Sequence, residues 1–297
     1  MADSTVESRP VSRLVENSEF VFTSKDMSKI SEIMMSEAGI VLPESKASLV
    51  YSRLVKRLRH LKLFSFSEYC ELVEGANGKA ERQELIAALT TNVTRFFREP
   101  HHFEHLRTKV LPDLIHRAKA GQKIRMWSAA CSFGPEPYSM ALTLLQELPD
   151  AGQYDIRILA TDIDPNVLAT ASEGVFDEAQ LAPVPEALRR KWFKPLGDAS
   201  KKWQAKRELQ QFISFRQLNL IGNWPMTGKF QVIFCRNVVI YFDNTTQEKI
   251  WSRFVPLMDK DSVLYIGHSE RISGIADRSL KSDGITIYRN VTGKMSG

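Results

Sequence analysis

KIRMWSAACSFGPEPYSMALTLLQELPDAGQYDIRILATD, residues 123–162, contains two short apolar runs separated by a segment with helical periodicity. We predict buried strands over Lys123–Cys131 and Asp155–Asp162, because short apolar runs of this length bounded by turn residues are typical of strands. The intervening Glu136–Leu148 is predicted to be a helix. A strand, a helix and a second strand at this spacing form a βαβ unit, which indicates an α/β sheet fold.

The same alternation continues toward the carboxyl end of the chain. Phe230–Cys235 (FQVIFC) and Ser262–Gly267 (SVLYIG) are predicted strands, separated by a helix over Thr245–Met258. Gly284–Val291 is predicted to close the sheet as one strand of a hairpin. Residues 191–215 interrupt this rhythm with a polar stretch followed by alternating residues, so we predict a small antiparallel β-subdomain inserted there.

The amino-terminal third of the chain has a different pattern, and we divide it into two parts. Residues 1–22 are polar without a sustained period and are predicted to form a flexible arm. Residues 23–100 are predicted to form a helical domain, and 101–297 the sheet domain. Helical spacing is clearest for four apolar residues, Val50, Leu54, Leu58 and Leu61.

The helix that carries this apolar stripe is strongly basic. No acidic residue occurs from Ser45 to Ser67. The basic side chains that we consider for docking a partner are Arg53, Lys56, Arg57 and Arg59. By pattern alone, a docking surface and an ordinary solvated helix face explain this charge equally well.

Composition limits the possible classes of protein. The chain has 297 residues, 43% of them hydrophobic, and no run approaches the ~20 apolar residues of a membrane span. The first residues lack the apolar run of a signal peptide, so we expect a cytoplasmic protein without membrane insertion. Three separated cysteines fit neither a disulfide framework nor paired metal ligands, and we expect no metal site. A net charge of +5 modestly favours an acidic partner.

Polar residues at the predicted strand ends are candidates for a ligand site, because ligands of open α/β sheets bind there. The small residues of Ser128–Gly134 allow a ligand to approach the backbone, although such a turn is also common for structural reasons. Asp162 occupies the position that holds ribose hydroxyls in nucleotide-binding folds, whereas Asp164, before Pro165, is better explained as a helix N-cap.

Three further stretches carry polar groups at such positions. Their sequences are QLNLI with Asn219 and Leu220, CRNVVIYFD with Arg236, Asn237 and Tyr241, and the upstream NVTRFFRE with Asn92, Thr94 and Arg98. Each could be a set of turn residues if it stood alone. Their combination in one chain is much more specific.

The chain resembles the chemotaxis-receptor methyltransferase (CheR) family in six stretches. In chain order they are TNVTRFFRE, WSAACSFGPEPYSMAL, ATDID, LNL, FCRNVVIYFD and GHSE. The resemblance runs from about residue 25 to residue 291. It implies an α/β, class I (Rossmann-like) methyltransferase domain, a helical amino-terminal domain and an inserted antiparallel β-subdomain. The implied activity is transfer of a methyl group from S-adenosyl-L-methionine to receptor glutamates, which sets sensory adaptation.

The resemblance also implies roles for individual residues. The positions that match the cofactor pocket of similar proteins are Asn92, Thr94, Arg98, Glu136, Asp162, Asn219, Leu220, Arg236 and Asn237. Tyr241 matches a tyrosine near the transferred methyl group. We expect Arg98 and Tyr241 to act in transfer, because the planar guanidinium of Arg98 suits a carboxylate and Tyr241 can donate one more hydrogen bond.

Partners and alternatives follow from the same resemblance. The expected partner is the acidic helical cytoplasmic region of chemotaxis receptors, met by the basic helix, with a receptor tail peptide as a second candidate at the β-subdomain. We expect no nucleic-acid partner, because no acidic-aromatic tetrapeptide for base methylation occurs. Phe133 and Pro135 depart from the cofactor loop of similar proteins. The alternative function is therefore a regulatory module that binds the cofactor and docks on receptors without transferring methyl groups.

Overall fold

The computed structural model describes residues 14–15, 18–197 and 200–292, and the chain divides into two compact units, Met1–Thr90 and Thr91–Gly297. Much of the predicted arm, residues 1–13 and 16–17, lies outside the described residues. Its last residue, Phe22, is fully buried, and its ring packs in a tilted arrangement against Phe66, with 4.5 Å between the ring centroids. The fold of the first unit therefore begins before residue 23.

The first unit is helical, as predicted. Its helices are α1 (Ser24–Ala38), α2 (Ala47–Leu61), α3 (Phe66–Glu74) and α4 (Lys79–Leu89). Thr23 caps α1 by accepting a hydrogen bond from the Asp26 amide, and the Asp26 side chain accepts one from the Thr23 amide in return. The predicted apolar stripe of α2 faces the core, where Val50, Leu54 and Leu58 are fully buried.

The second unit alternates helices with strands. Its helices are α5 (Pro100–His105), α6 (Leu111–Lys119), α7 (Pro135–Glu147), α8 (Pro165–Glu173), α9 (Glu186–Trp192), α10 (Arg207–Gln210), α11 (Asn244–Phe254) and α12 (Ala276–Ser279). Its strands are β1 (Ile124–Ala129), β2 (Ile156–Asp162), β3 (Val175–Asp177), β4 (Phe193–Pro195), β5 (Lys202–Ala205), β6 (Ile213–Gln217), β7 (Phe230–Cys235), β8 (Met258–Ile266), β9 (Leu280–Gly284) and β10 (Ile287–Asn290).

Seven of these strands form one sheet in the order β6-β2-β1-β7-β8-β10-β9. The five strands from β6 to β8 are parallel, and β10 is antiparallel to both of its neighbours. The predicted closing hairpin is present, because β10 pairs with β9. The order reverses on the two sides of β1, which is the arrangement that opens a ligand crevice in Rossmann-like sheets. The predicted class I fold is confirmed.

The register aligns the carboxyl ends of the parallel strands. Ala129 of β1 pairs with Thr161 of β2 and with Cys235 of β7, and Cys235 pairs with Ile266 of β8. Asp162 pairs with Gln217 of β6. The loops that follow these strands therefore leave the sheet along one edge, and this edge carries most of the polar residues singled out in the sequence.

A second, small antiparallel sheet has the order β3-β5-β4. We predicted the insertion over 191–215, which contains β4 and β5. The third strand of the small sheet, β3, precedes the predicted range. The last residues of that range belong to β6, which pairs with β2 of the main sheet instead. The small sheet is thus built from residues on either side of α9.

Residues 91–99 belong to the second unit, although we predicted the domain boundary at residue 100. Phe96 is buried against Phe176 at 4.9 Å and Phe193 at 6.1 Å, and the Phe97 amide donates to Ser139 Oγ. These aromatic contacts attach the segment to the sheet unit. Among the described residues, no helix combines the length and apolar character required to cross a membrane.

Candidate active site at the carboxyl edge of the sheet

The turn after β1 has an unusual backbone. Ala130, Ser132 and Gly134 have φ values of 62°, 51° and 94°, in the left-handed region that side chains rarely adopt. A Cβ atom on Gly134 would lie 3.0 Å from Ala171 Cβ, so glycine is needed there for both conformation and space. The small side chains of this turn leave its backbone accessible to a ligand.

Asp162, at the end of β2, closes this turn. Its Oδ2 accepts a hydrogen bond from the Ser132 amide at 2.8 Å, and its Oδ1 accepts one from the Asp164 amide at 3.1 Å. Burial raises the pKa of Asp162, and these backbone donors oppose the shift. Each carboxylate oxygen retains capacity for a further donor, so the group suits a vicinal diol. Asp164 caps α8 by accepting from the Asn166 amide at 2.8 Å, as expected.

Glu136 and Arg236 form a buried pair between α7 and the end of β7. Glu136 Oε2 accepts from Arg236 Nη1 at 3.1 Å, and its Oε1 accepts from Ser128 Oγ at 2.7 Å. Burial raises the pKa of Glu136, while Arg236 acts in the opposite direction. The Arg236 guanidinium lies over the Phe103 and Phe234 rings, 5.7 Å from each centroid. Its contacts are therefore largely internal, and its side chain is 2% exposed.

The NVTRFFRE segment joins this network from above the turn. Ser132 Oγ donates to the Asn92 carbonyl at 3.1 Å, which holds the half-buried Asn92 beside the turn after β1. Thr94, two residues further on, is half-buried as well. The Arg98 carbonyl accepts from Arg236 Nη2, and the Arg98 guanidinium donates to the Val93 carbonyl at 2.9 Å. Arg98 is half-buried, so most of its five N–H donors remain available to a ligand.

Asn219 and Leu220 lie in the loop after β6. Asn219 Oδ1 accepts from the Ile221 amide at 3.1 Å, and the Leu220 carbonyl accepts from Trp224 Nε1 at 3.1 Å and Arg253 Nη1 at 2.8 Å. The Leu218 amide donates to the Asp162 carbonyl at 2.9 Å. This last bond places the loop next to the end of β2, so both predicted residues stand beside Asp162.

Asn237 and Tyr241 follow β7 on the other side of β1. Asn237 has φ 59°, and its Nδ2 lies 3.5 Å from Glu99 Oε1. Tyr241 ends a short 3₁₀ turn, Val239–Tyr241, and is half-buried. Within the described residues its hydroxyl has no hydrogen-bond partner. A tyrosine kept for structure would be expected to bond a local carbonyl, so this hydroxyl is available for a ligand.

Two acidic residues of this edge were not among the predicted site residues. Glu270 is 2% exposed and accepts hydrogen bonds from backbone amides of two loops. Glu99 lies 3.4 Å from Arg236 Nη2 and 3.3 Å from His268 Nδ1. The motifs TRFFRE and GHSE contain both residues, so the signal was present, but only the folded chain shows what they contact.

Glu99, His101 and His102 each offer a ligand atom within 4.8 Å of one another. His102 is fully buried, and burial lowers its pKa to about 3, which keeps the imidazole neutral. The Arg236 guanidinium next to Glu99 places a positive charge beside the same carboxylate, which opposes binding of a metal cation. We therefore assign this cluster to the charge network that supports Arg236.

Phe133 and Pro135, the departures in the cofactor loop, are both accommodated by the structure. Phe133 is 37% exposed, so its side chain is not enclosed by the turn after β1. Pro135 is the first residue of α7, a position where proline's missing amide costs no helical hydrogen bond. Neither residue displaces the turn that closes on Asp162.

The four basic residues of α2 have different surroundings. Arg53 donates to the Leu89 carbonyl at 2.9 Å, and Arg57 binds Glu81 through two nitrogens, with Nη2 at 2.5 Å. Arg59 pairs with Glu19, where both side chains are exposed. Lys56 is exposed and has no ion-pair partner in the described part of the chain. A docking surface on α2 thus depends on Lys56 and Arg59 more than on the two arginines that support the fold.

Comparison with known proteins shows one family that matches both units of the chain. Residues 92–287 match the family described as CheR methyltransferase, SAM binding domain, and residues 25–90 match its all-alpha domain. A probable chemotaxis protein methyltransferase of Rhizobium etli is 54% identical over 88% of this chain and 97% of its own length. Chemotaxis protein methyltransferase 2 of Pseudomonas aeruginosa is 42% identical over 92% of this chain and 95% of its own length. The chemotaxis protein methyltransferase of Escherichia coli is 41% identical over 88% of each chain.

Proposed function

Because the chain belongs to the CheR methyltransferase family, we propose that it methylates glutamate side chains of chemotaxis receptors and so sets sensory adaptation. The product is a γ-glutamyl methyl ester. The observation that carries this proposal is the arrangement at one sheet edge. There, the diol-compatible carboxylate of Asp162 shares an edge with two donors that remain available, Arg98 and the Tyr241 hydroxyl.

The cofactor is S-adenosyl-L-methionine, and the edge has features that fit it. Asp162 would hold the ribose hydroxyls, and the small turn after β1 admits the ligand close to the backbone. The remaining residues proposed to line the pocket are Asn92, Thr94, Arg98, Glu136, Asn219, Leu220, Arg236 and Asn237. Arg236 acts there by holding Glu136 and the Arg98 carbonyl in place. The bound cofactor supplies an electrophilic methyl group on a sulfonium.

The residues of this chain have to desolvate and align the acceptor. A glutamate carboxylate is already ionised at neutral pH, so no general base is required. Removing water from it is costly unless a donor replaces the water. Arg98 provides a planar pair of donors for that purpose, and Tyr241 provides one hydroxyl. Both contacts have to be partial, because a firm grip on the ground state would slow transfer.

The alternative of an impaired regulatory module has no support in the structure or in the relatives. The two residues that motivated it are Phe133, whose side chain is partly exposed to solvent, and Pro135, which begins α7 without loss of a hydrogen bond. The residues expected from the sequence to bind the cofactor or act in transfer all belong to the second unit. Catalysis therefore remains the proposed function of this site.

The proposed partner is the acidic helical cytoplasmic region of the receptors, and the proposed location of this protein is accordingly the cytoplasm. Lys56 on α2 supplies exposed positive charge that would attract it, and Arg59 adds its own charge where an acidic partner replaces Glu19. A receptor tail peptide is a further proposed ligand of the small sheet. Within the described part of the chain, β3 and β4 each pair with β5 on one side alone, so each has an edge at which a peptide strand could add.

Labelled S-adenosylmethionine and receptor-containing membranes test the proposal directly. Methyl esters of glutamate release methanol in base, so base-labile label on the receptor is the expected result. Label that stays on the receptor in base would exclude ester formation.

Tyr241→Phe should lower the single-turnover rate and leave the affinity for S-adenosylhomocysteine within a few-fold.

Two variants complete this experiment. Tyr288→Phe on β10 is the matched control, because it removes a hydroxyl from another half-buried tyrosine. Arg98→Lys keeps the charge and loses the planar fork, so a large loss of activity would show that geometry matters. Full single-turnover activity in Tyr241→Phe would remove that hydroxyl from the mechanism and leave Arg98 as the group that positions the glutamate.

A further inference from the structure

The Glu270 carboxylate joins two loops of the active-site edge. Oε1 accepts from the Val238 amide at 2.9 Å and the Val239 amide at 3.0 Å. Oε2 accepts from the Asn237 amide at 3.0 Å and from the Gly267 amide. Both oxygens are therefore used by backbone donors. Within the described residues, no cationic side chain pairs with this carboxylate, so ion pairing does not explain it.

The backbone around Glu270 has little room for alternatives. A Cβ atom on Gly267 would lie 2.5 Å from Asn237 Nδ2 and 2.8 Å from Glu270 Oε2, so only glycine allows this approach. Asn237 has φ 59°, a conformation that costs energy for a residue with a side chain. A strained residue persists only where its surroundings hold it in place. Glu270 supplies that restraint, because it binds the Asn237 amide and the next two amides.

We propose that Glu270 is a positioning residue for methyl transfer, which fixes the loop Asn237–Tyr241 and thereby the Tyr241 hydroxyl. This inference rests on the proposed function and extends it to a buried residue whose carboxylate oxygens are both occupied by backbone amides. The mechanical link is short: the Tyr241 amide donates to the Val238 carbonyl at 3.2 Å, and this carbonyl belongs to the same peptide group as the Val239 amide that Glu270 holds. Burial raises the pKa of Glu270, and its four backbone donors counter that shift.

Glu270→Gln is the direct test. Glutamine keeps the length of the side chain but replaces one acceptor oxygen by an amide nitrogen, which faces backbone N–H groups as a second donor. We expect the single-turnover methylation rate to fall roughly 10- to 100-fold, because small displacements of a reacting group are that costly. Gly267→Ala should give the same loss with the carboxylate intact, since its Cβ displaces Asn237 from the other side.

Asp259→Asn is the matched structural control. Asp259 lies near the opposite end of β8 and binds Arg117 at 3.0 Å and Gln231 at 3.2 Å, away from the Glu270 loops. It should lower the melting temperature without changing the single-turnover rate. A loss of rate in Asp259→Asn as large as in Glu270→Gln would show that general destabilisation is responsible, which overturns the inference.

A double-mutant cycle with Tyr241→Phe separates positioning from a structural role. If Glu270 acts through Tyr241, Glu270→Gln costs little more in the Tyr241→Phe background. Independent, multiplying losses, or a wild-type rate in Glu270→Gln, would overturn the inference. Absence of receptor methylation by the wild-type protein would instead reject the proposed function. Affinity for S-adenosylhomocysteine reports on Asn237, whereas the single-turnover rate at saturating cofactor reports on Tyr241. A loss of rate in Glu270→Gln that saturating cofactor fully restores would overturn the inference.

Discussion

At the scale of single residues, Asp162 has two tasks that belong to different levels of structure. Its oxygens hold the Ser132 and Asp164 amides, which shapes the turn after β1, and their remaining capacity faces the site. Asp162→Ala removes both. We expect the affinity for S-adenosylhomocysteine, measured by calorimetry, to fall roughly 10- to 100-fold, because a polar pocket loses its acceptors.

Asp164→Asn provides the control for that prediction. Asp164 is buried two residues further on and caps α8, and asparagine is an equally good N-cap. Its affinity for S-adenosylhomocysteine should match that of the wild type. If Asp162→Ala also bound with wild-type affinity, Asp162 would serve only to close the turn, and the ribose would have to be held elsewhere.

At the scale of elements, α2 combines residues that stabilise the first unit with residues that are free to dock. Arg57→Ala should lower the free energy of unfolding by about 1–3 kcal/mol, because the nearly buried Glu81 loses its bidentate partner. Lys56→Glu should change it by less than about 0.5 kcal/mol, as is usual at exposed positions. Chemical denaturation of the two variants measures this difference.

Lys56→Glu also tests whether α2 docks on the receptor. Lys56→Glu should lower kcat/KM for receptor while leaving cofactor affinity unchanged, and the remaining activity should fall less steeply with salt than that of the wild type. Reversal of Arg53 and Arg57 would mix docking with stability, since both bind groups of their own unit. Wild-type activity and salt response in Lys56→Glu would leave α2 as an ordinary solvated helix.

At the scale of the whole molecule, the two units divide the tasks between them. All residues proposed to hold the cofactor belong to Thr91–Gly297, which has its own sheet and aromatic core. We expect a fragment of residues 91–297 to bind S-adenosylhomocysteine within a few-fold of the full chain and to lose most receptor methylation. A folded fragment, judged by circular dichroism, that methylates receptor at the full rate would show that α2 is dispensable.

Local sequence patterns predict several strands of the sheet, the buried face of α2 and the position of the polar residues at the strand ends. The apolar runs of β1, β2 and β7 and the stripe of α2 are local patterns, so their structure follows from periodicity and burial. Polar residues directly after those strands had to meet at one edge, because parallel strands end on the same side. A candidate site that includes Asp162 could therefore be proposed from the sequence, and the roles of its residues stay predictions.

Only the tertiary structure decided which of those polar groups contact one another. Glu270 meets Asn237 because β8 lies next to β7 in the sheet. Glu99 meets Arg236 because of the path that the segment before α5 takes. The members of each pair are far apart in sequence. Likewise β3 is too short to give a pattern, and it becomes a strand because β5 lies beside it. Local sequence sets which residues turn, extend or become buried, whereas long-range packing sets which donor meets which acceptor.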